Sequence, residues 1–339
     1  MKYIKCILLT LFLTPTISHA IFRIYTGNIG QDNAEFYFDD EYAFYIAGKE
    51  QQIKHLSFIS ERERNDKFNF IITYANSSFK NILDKIYIEN FDDVTFYHGT
   101  EAYQNLTGYT LNGDKVNLHK IFEYNTIDER TWREVEFNNI EFLQNHSSKD
   151  FYFKVMVSKL KKSTGNIVGI KIYSKHDGKL IQTITGIDGC DFLGYVNISN
   201  HENSDYNFDG DNNDFSLIKD RYHGPNTTAE YYVYDKTQQQ FVKLNLDGND
   251  FRFDREAKTA TSYKTCPGKK ENDHISLTDN FQYIGNNRYK RVKTECLYKS
   301  GEYLNEDNNQ FEYKKQRACK PKEIKDCRNY IDNNDYDSY

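Results

Sequence analysis

The sequence lacks the short motifs that mark many enzyme classes. It contains no Gly-x-Ser-x-Gly nucleophile elbow, no His-Glu-x-x-His zinc helix and no glycine-rich phosphate-binding loop. With 50 acidic residues, any two carboxylates could be nominated as a glycosidase pair, so acidic residues alone predict no such site. The sequence therefore favours a binding protein over an enzyme.

Long apolar runs are also missing. The run from Cys6 to Leu13 is far shorter than the ~20 residues that a membrane-spanning helix needs. Lys2 and Lys5 precede it and Ser18-His19-Ala20 follows it, which is the pattern of a secretion signal cleaved after Ala20. Cys6 lies inside the apolar run, so we expect an exported chain that is not a lipoprotein.

Cysteine is scarce. Five cysteines remain after signal cleavage, at positions Cys190, Cys266, Cys296, Cys319 and Cys327. Four of them crowd the last quarter of an exported chain, which predicts disulfides, and the absence of a Cys-x-x-Cys pair argues against zinc. Sequence cannot choose among the three possible pairings of four cysteines. Our expectation is Cys266–Cys296 and Cys319–Cys327, with Cys190 free.

Net positive charge is lacking as well. The chain has a net charge of −6, and loss of the two signal lysines makes it −8. An acidic body argues against nucleic acid and suits a basic partner. Ordinary solubility would explain the same charge.

Methionine and tryptophan are nearly absent, with two and one residues, whereas tyrosine and phenylalanine number 28 and 24. Short runs of aromatic and β-branched residues alternate with turns, as in Phe151–Val157, Val168–Tyr173 and Leu180–Ile184. Asn112-Gly113 and Asp177-Gly178 predict tight hairpins. The pattern predicts an all-β fold of irregular propeller-like or stacked antiparallel sheets.

Composition divides the chain into four parts. These are a signal peptide over residues 1–20, a strand-rich half over residues 21–148, a second β half over residues 149–300, and a cysteine-containing tail over residues 301–339. The tail is locally basic from Lys314 to Arg328, and we expect its end to be disordered. The best helix candidate is Asp128 to Leu143.

The most specific local pattern lies in the second half, at Asp205-Tyr206-Asn207-Phe208-Asp209-Gly210-Asp211-Asn212-Asn213-Asp214. Oxygen-bearing side chains stand at alternate positions and Gly210 permits a sharp turn, which is the start of a calcium-binding loop. Strand-like flanks distinguish it from an EF-hand.

The candidate calcium ligands are Asp205, Asn207, Asp209, Asp211 and Asp214. Asp211 would offer its backbone carbonyl, and either Asn213 or Asp214 would complete the shell. The alternative is a solvated Asn/Asp turn without an ion.

The segment from Arg221 to Thr228 lies between two predicted strands, and Gly224-Pro225 within it excludes regular structure. Tyr222, His223 and Asn226 are candidate partner-binding residues, because aromatic anchors give large contact areas at low entropic cost. An ordinary surface hairpin loop is the alternative.

Five segments in this order resemble a known family. They are Phe151–Val157; Gly169–Tyr173 with Gly178–Gln182; the Asp205–Phe215 loop; Tyr231–Thr237 with Gln240-Phe241; and Phe251–Asp254. Together they are similar to periplasmic immunity proteins of Xanthomonadales-like type IV secretion systems, relatives of bacterial lysozyme inhibitors. The resemblance covers residues ~150–300 and has no counterpart for the tail.

The resemblance implies an exported, propeller-like protein that carries a calcium loop and blocks a peptidoglycan-cleaving, lysozyme-like effector in the periplasm. The rival hypothesis is a calcium-stabilised surface adhesion or binding module, in which the basic stretch Lys314–Arg328 meets an anionic polymer. Both hypotheses include calcium, which is the one cofactor that we expect.

Overall fold

The protein is all-β, as predicted, and consists of several antiparallel sheets. The computed structural model describes residues 21–38, 43–48, 51–62, 68–75, 82–88, 104–126, 133–200, 204–219, 227–246, 251–270, 272–305 and 310–330. The predicted signal, residues 1–20, lies outside this set. Of the last eleven residues, 329–339, which we expect to be disordered, residues 331–339 also lie outside it. Within the described residues, no helix is both long and apolar enough to cross a membrane.

The first eight strands pair in sequence order and close into a barrel, because β1 also pairs with β8. They are β1 (Ile21–Ile29), β2 (Asp32–Phe38), β3 (Ala43–Ala47), β4 (Gln52–Arg62), β5 (Phe68–Ala75), β6 (Ile82–Ile88), β7 (Asn105–Thr110) and β8 (Lys115–Asn125). The predicted Asn112-Gly113 hairpin is present, with Gly113 at φ +85° between β7 and β8.

Two glycines allow the barrel strands to approach closely. A Cβ atom on Gly27 would lie 2.0 Å from the Asn117 carbonyl oxygen, across the closing β1–β8 pair. One on Gly108 would lie 1.7 Å from the Tyr87 carbonyl oxygen, across β6–β7. No side chain fits at either position without moving backbone.

Three meandering sheets follow the barrel. The second sheet contains β9 (Phe137–Leu143), β10 (Phe151–Lys159), β11 (Asn166–Ser174) and β12 (Leu180–Thr185). The third contains β13 (Ile198–Ser199), β14 (Phe215–Ile218), β15 (Ala229–Asp235) and β16 (Gln240–Lys243). The fourth contains β17 (Phe251–Asp254), β18 (Thr259–Pro267), β19 (Asp273–Tyr283), β20 (Tyr289–Asn305) and β21 (Gln310–Ala318), and helix α1 (Pro321–Arg328) follows.

The predicted helix over Asp128–Leu143 is wrong from Phe137 onward, where the chain forms strand β9. Pairing with β10, which buries Phe142 and Leu143, outweighs the local helix signal. Residues 127–132 lie outside the described set.

The proposed boundaries do not coincide with the sheets. The barrel ends at Asn125, while residue 148 falls between the paired strands β9 and β10. Residue 300 falls inside β20, so the described part of the tail contributes the end of β20, strand β21 and helix α1.

The predicted disulfide pairing is also wrong. The bonds join Cys266 to Cys327 and Cys296 to Cys319. Cys190 is buried and takes part in neither disulfide, as expected. From Pro321 to Cys327, helix α1 rises by about 9 Å at 1.5 Å per residue, which takes Cys327 out of disulfide reach of Cys319 before the helix. The helix instead carries Cys327 back to β18, where Cys266 lies.

Two hydrophobic cores explain how the parts pack. Phe36, Phe38 and Tyr45 lie in the cluster that fills the barrel. Phe22 and Phe44 belong instead to a larger cluster with residues of the second and third sheets. One outer side of the barrel therefore packs directly against those sheets.

Candidate functional site

The candidate site is the acidic loop, Ser204–Asp214, which leads into strand β14. Its two ends are buried: Asp205 is 3% exposed and Asp214 is 1% exposed. Asp209, near the middle, is exposed. The alternative of a fully solvated turn does not describe these buried ends.

Carboxylate side chains hold the loop in successive tight turns. The Asp205 carboxylate accepts the backbone N–H groups of Asp209 at 3.0 Å and of Gly210 at 3.1 Å. Further along, Asp209 Oδ1 accepts the Asp211 N–H at 2.7 Å. Gly210 has φ +84°, so the predicted sharp turn at this glycine is confirmed.

Asp214 anchors the loop to the hairpin that follows. Its two carboxyl oxygens accept the backbone N–H groups of Tyr206 at 2.7 Å and of Tyr234 at 3.0 Å. Burial raises the pKa of Asp214 to about 8 although both hydrogen bonds act in the opposite direction, and the nearby Asp209 and Asp205 add to the rise.

Asn213, the other candidate for the last ligand, connects the loop to the second sheet. Its Oδ1 accepts the Asp150 backbone N–H at 2.9 Å, and its Nδ2 donates to the Asp150 carboxylate at 2.8 Å. The same Nδ2 contacts Asp211 Oδ1 at 2.8 Å.

Three turns from distant parts of the chain reach the loop. Arg255 Nη2 lies 3.1 Å from Asp205 Oδ2, and Lys236 Nζ lies 3.2 Å from Asp211 Oδ2 and 3.6 Å from Asp209 Oδ2. Asn207 donates to Asn287 Oδ1 at 3.1 Å. The sequence pattern gave no signal for these partners, since each comes from a hairpin turn of the third or fourth sheet.

The chemistry of the loop fits a hard cation, because its side chains offer carboxylate and amide oxygens, the ligands that calcium prefers. Its arrangement gives weaker support. Among the described residues, no three His, Cys, Asp or Glu side chains gather as a metal-holding group. Asp205 and Asp211 instead face Arg255 and Lys236, and Asp214 faces backbone N–H groups.

The candidate partner-binding residues Tyr222, His223 and Asn226 lie outside the described residues. Strands β14 and β15 flank them in the sequence. The Lys219 N–H donates to the Thr228 carbonyl at 2.9 Å, so the β14–β15 hairpin is closed on both sides of residues 220–227. The acidic loop joins this hairpin at the opposite end of β14.

Ion pairs surround the stem of this hairpin. Glu230 Oε1 lies 2.7 Å from Lys243 Nζ and 3.4 Å from Lys219 Nζ, and Tyr232 donates to Glu230 at 2.7 Å. Burial alone would raise the pKa of Glu230, but the hydrogen bonds from Lys243 and Tyr232 hold it below its usual value.

The basic stretch Lys314–Arg328 is partly neutralised within the fold. Arg317 forms a two-pronged pair with Glu323, with both contacts at 2.8 Å. Arg328 Nη2 lies 2.7 Å from Asp279 Oδ1 and donates to Thr294 at 2.7 Å. These two arginines hold helix α1 to strands β21, β19 and β20 of the fourth sheet.

A second charged cluster, at the seam between the barrel and the second sheet, was missed by sequence reasoning. Lys154 Nζ contacts both Glu35 carboxylate oxygens, at 2.8 and 2.7 Å. Glu141 pairs with Lys171 and accepts the Tyr173 hydroxyl at 3.1 Å. Burial opposes ionisation of Glu141, but Lys171 and Lys154 keep its pKa below the usual value, so both acids are charge-matched structural groups.

Neither protein-family models nor curated proteins give a match for this chain. Assignment of a function therefore depends on the chemistry of the acidic loop, its hairpin and the overall charge.

Proposed function

We propose that this chain is an exported binding protein that inhibits a peptidoglycan-cleaving, lysozyme-like hydrolase, as an immunity protein does. It acts in the periplasm after signal cleavage near Ala20, without a lipid anchor. Two disulfides among the described residues suit an oxidising compartment.

The observation that carries the proposal is the construction of the β14–β15 hairpin. Asp214 fixes its base through the Tyr234 N–H, while the Lys219–Thr228 hydrogen bond joins the two strands between which Tyr222, His223 and Asn226 lie in the sequence. A loop whose two ends are joined loses less entropy on binding than a loop with free ends, which favours its use as an inserted element. We propose that Tyr222, His223 and Asn226 enter the cleft of the hydrolase.

Charge supports the same kind of partner. The mature chain would carry −8, since the chain carries −6 and the signal contains two lysines. An acidic inhibitor attracts a cationic hydrolase over long range and speeds their association.

We also propose that calcium binds the acidic loop through Asp205, Asn207, Asp209 and the Asp211 carbonyl, with Asp214 or Asn213 as the last ligand. Calcium would then compete with Arg255 and Lys236 for the same carboxylates. Its role would be to hold the acidic loop at the base of the hairpin in place of these two ion pairs.

Thermal unfolding of residues 21–339 in excess calcium and in chelator tests the metal proposal. At 100 times its dissociation constant, calcium should stabilise the protein by about 2.7 kcal/mol. Asp209→Asn, which removes one charge and keeps an acceptor, should reduce this gain, and Arg255→Ala should tighten calcium binding.

Asp254→Asn is the matched control, because Asp254 accepts the Ala257 N–H at 2.9 Å in a similar turn outside the acidic loop. No calcium-dependent shift at millimolar concentration, or an equal loss in both Asp→Asn variants, would leave the loop as a hydrogen-bonded turn without an ion.

Affinity capture tests the partner. Immobilised mature protein should retain lysozyme-like hydrolases from a purified panel of cell-wall enzymes, and retention should fall when Tyr222 and His223 are both replaced by alanine. Thr237→Ala, in the neighbouring β15–β16 turn, is the control. Retention of no hydrolase, or equal retention by all variants, would contradict an inhibitor that uses this loop.

The adhesion hypothesis remains the alternative. It relied on the basic stretch Lys314–Arg328, in which Arg317 and Arg328 are already engaged by Glu323 and Asp279. That pairing leaves less charge for an anionic polymer at this place.

A further inference from the structure

The fourth sheet has two very different faces. One face carries Phe251 and Phe281 in a hydrophobic cluster and, further along, Ile275 and Leu277 in a second cluster with helix α1. The other, which we call the open face, consists of the side chains that alternate with these along each strand.

The register of the strands defines the open face. Tyr263 pairs with Thr278 and Thr278 with Glu295, while His274 pairs with Lys299. Antiparallel partners project to the same side, so these rows run across the sheet. The open face comprises Arg252, Asp254, Thr259, Thr261, Tyr263, Thr265, His274, Ser276, Thr278, Asn280, Gln282, Lys290, Lys293, Glu295, Leu297, Lys299, Gln316 and Ala318.

Side-chain contacts agree with this assignment. The Tyr263 hydroxyl donates to Ser276 Oγ at 3.3 Å, and the Thr261 hydroxyl donates to Asn280 Oδ1 at 3.0 Å. Tyr263 is 41% exposed and Leu297 is 44% exposed, so the surface is open at its centre among the described residues.

The open face is positive on a negative protein. Its basic residues are Arg252, Lys290, Lys293 and Lys299. Asp254 and Glu295 oppose them, and Glu295 is already paired with Lys293 at 2.8 Å. The face therefore has a net charge of +2 on a chain that carries −6, which suits an anionic ligand.

The remaining side chains indicate which class of anion binds. A protein interface needs a desolvated aromatic and aliphatic centre, and a membrane surface needs an apolar stripe. The open face offers only Tyr263 and Leu297 of this kind, among hydroxyl and amide groups, so it does not suit a protein or a membrane.

A nucleic-acid site needs a stronger basic patch than four basic residues opposed by two acids. A polysaccharide fits better, because hydroxyls and amides match sugar hydroxyls and a tyrosine ring offers one flat apolar surface.

We propose that the open face of the fourth sheet binds a carboxylate-bearing polysaccharide. Lys299 and Lys290 contact its carboxylates, Tyr263 packs against a sugar ring, and the threonine and asparagine side chains bond to its hydroxyls. This site is separate from the acidic loop and does not depend on the proposed inhibitor function.

Calorimetric titration with hyaluronan oligosaccharides tests the proposal, with chitin oligosaccharides of equal length as the neutral comparison. A calcium-free buffer ensures that calcium binding at the acidic loop does not contribute to the measured heat. We expect binding of hyaluronan that weakens with salt, and weaker binding of the neutral sugar. Lys290→Glu combined with Lys299→Glu should weaken it roughly tenfold or more.

Two further variants complete the design. Tyr263→Ala should weaken binding of both sugars, and Lys325→Glu, on the exposed side of α1, should change neither. Unchanged melting temperatures show that the variants fold. Absence of hyaluronan binding, equal binding by the open-face double variant, or tighter binding of anionic vesicles or duplex DNA would overturn the proposal.

Discussion

In the barrel, every strand has a paired neighbour on both sides, whereas each of the three sheets that follow has two edge strands. Backbone hydrogen bonds between β1 and β8 are enough to close the barrel. Gly27 and Gly108 permit the close approach of the neighbouring strands. At the edge strands of the sheets, side chains supply hydrogen bonds to the backbone that a neighbouring strand would otherwise supply.

Two side-chain amides show how the sheets are joined. Gln182, on edge strand β12, accepts the Phe241 N–H at 2.7 Å and donates to the Phe241 carbonyl at 3.0 Å, on edge strand β16. Asn245 makes the same pair of bonds to Tyr289, at 2.8 and 2.9 Å. Each amide supplies the one donor and one acceptor that a strand would supply. The sheets should therefore respond to single substitutions that leave the barrel intact.

The largest expected effect comes from removing both disulfides of the described residues, which lie in the fourth sheet and helix α1. Loss of Cys266–Cys327, with a sequence separation of 61, should cost about 4 kcal/mol in the free energy of unfolding. Loss of Cys296–Cys319, with a separation of 23, should cost about 3 kcal/mol. Denaturation of the Cys→Ser double variants measures both values. Hydrogen exchange should show unchanged protection of the backbone amides in β1–β8. An equal loss of protection in the barrel and in the fourth sheet would contradict the expected difference in stability between them.

Tyr195 tests the join between the two regions. It is 1% exposed, its ring lies 4.9 Å from that of Phe44, and its hydroxyl donates to the Phe38 carbonyl at 3.2 Å. Tyr195→Ala should cost roughly 3–5 kcal/mol through the cavity, and Tyr195→Phe about 1 kcal/mol through the hydroxyl. Chemical denaturation measures both, and a negligible effect of Tyr195→Ala would show that the barrel and sheets do not share one core.

The Gln182 amide gives a smaller effect. Gln182→Ala leaves the N–H and carbonyl of buried Phe241 without these bonds, which should cost about 1–3 kcal/mol. Thr183→Ala, exposed on the same strand, is the control and should change stability little. Equal denaturation midpoints for the two variants would contradict the role of the amide.

The smallest effect depends on pH. Hydrogen bonds from Arg317 and the Lys320 N–H lower the pKa of Glu323 from 4.5 to about 2. Because the folded-state pKa is the lower one, this stabilisation is present above pH 4.5 and is lost as the pH falls toward 2. Hydrogen exchange of α1 should therefore quicken over that range. Glu323→Gln should flatten the pH dependence of this exchange rate. A pH profile that is the same in the variant and in the parent would contradict a stabilising Arg317–Glu323 pair.

Local chemistry made the hairpin predictions reliable. Asn112-Gly113 and Asp177-Gly178 each place a glycine where the chain turns, and both glycines adopt positive φ, at +85° and +69°. Strands such as Phe151–Lys159 were predictable for a similar reason. Their runs of aromatic and β-branched side chains are visible within a few residues of sequence.

Long-range contacts were not predictable. Closure of the barrel joins Ile21 to Asn125, and no short pattern specifies that pair. The disulfide prediction failed because it followed closeness in sequence, while α1 returns Cys327 to Cys266. The turn at Gly210 in the acidic loop was predicted from spacing, but Arg255 and Lys236 reach it from other hairpins.

The most direct test of the proposed function is titration of a captured lysozyme-like hydrolase with the mature protein, with peptidoglycan cleavage as the readout. We expect stoichiometric loss of cleavage in calcium. Combined Tyr222→Ala and His223→Ala should weaken the inhibition roughly tenfold or more. Full cleavage at saturating inhibitor across the panel of cell-wall hydrolases, or inhibition that these substitutions leave unchanged, would contradict it.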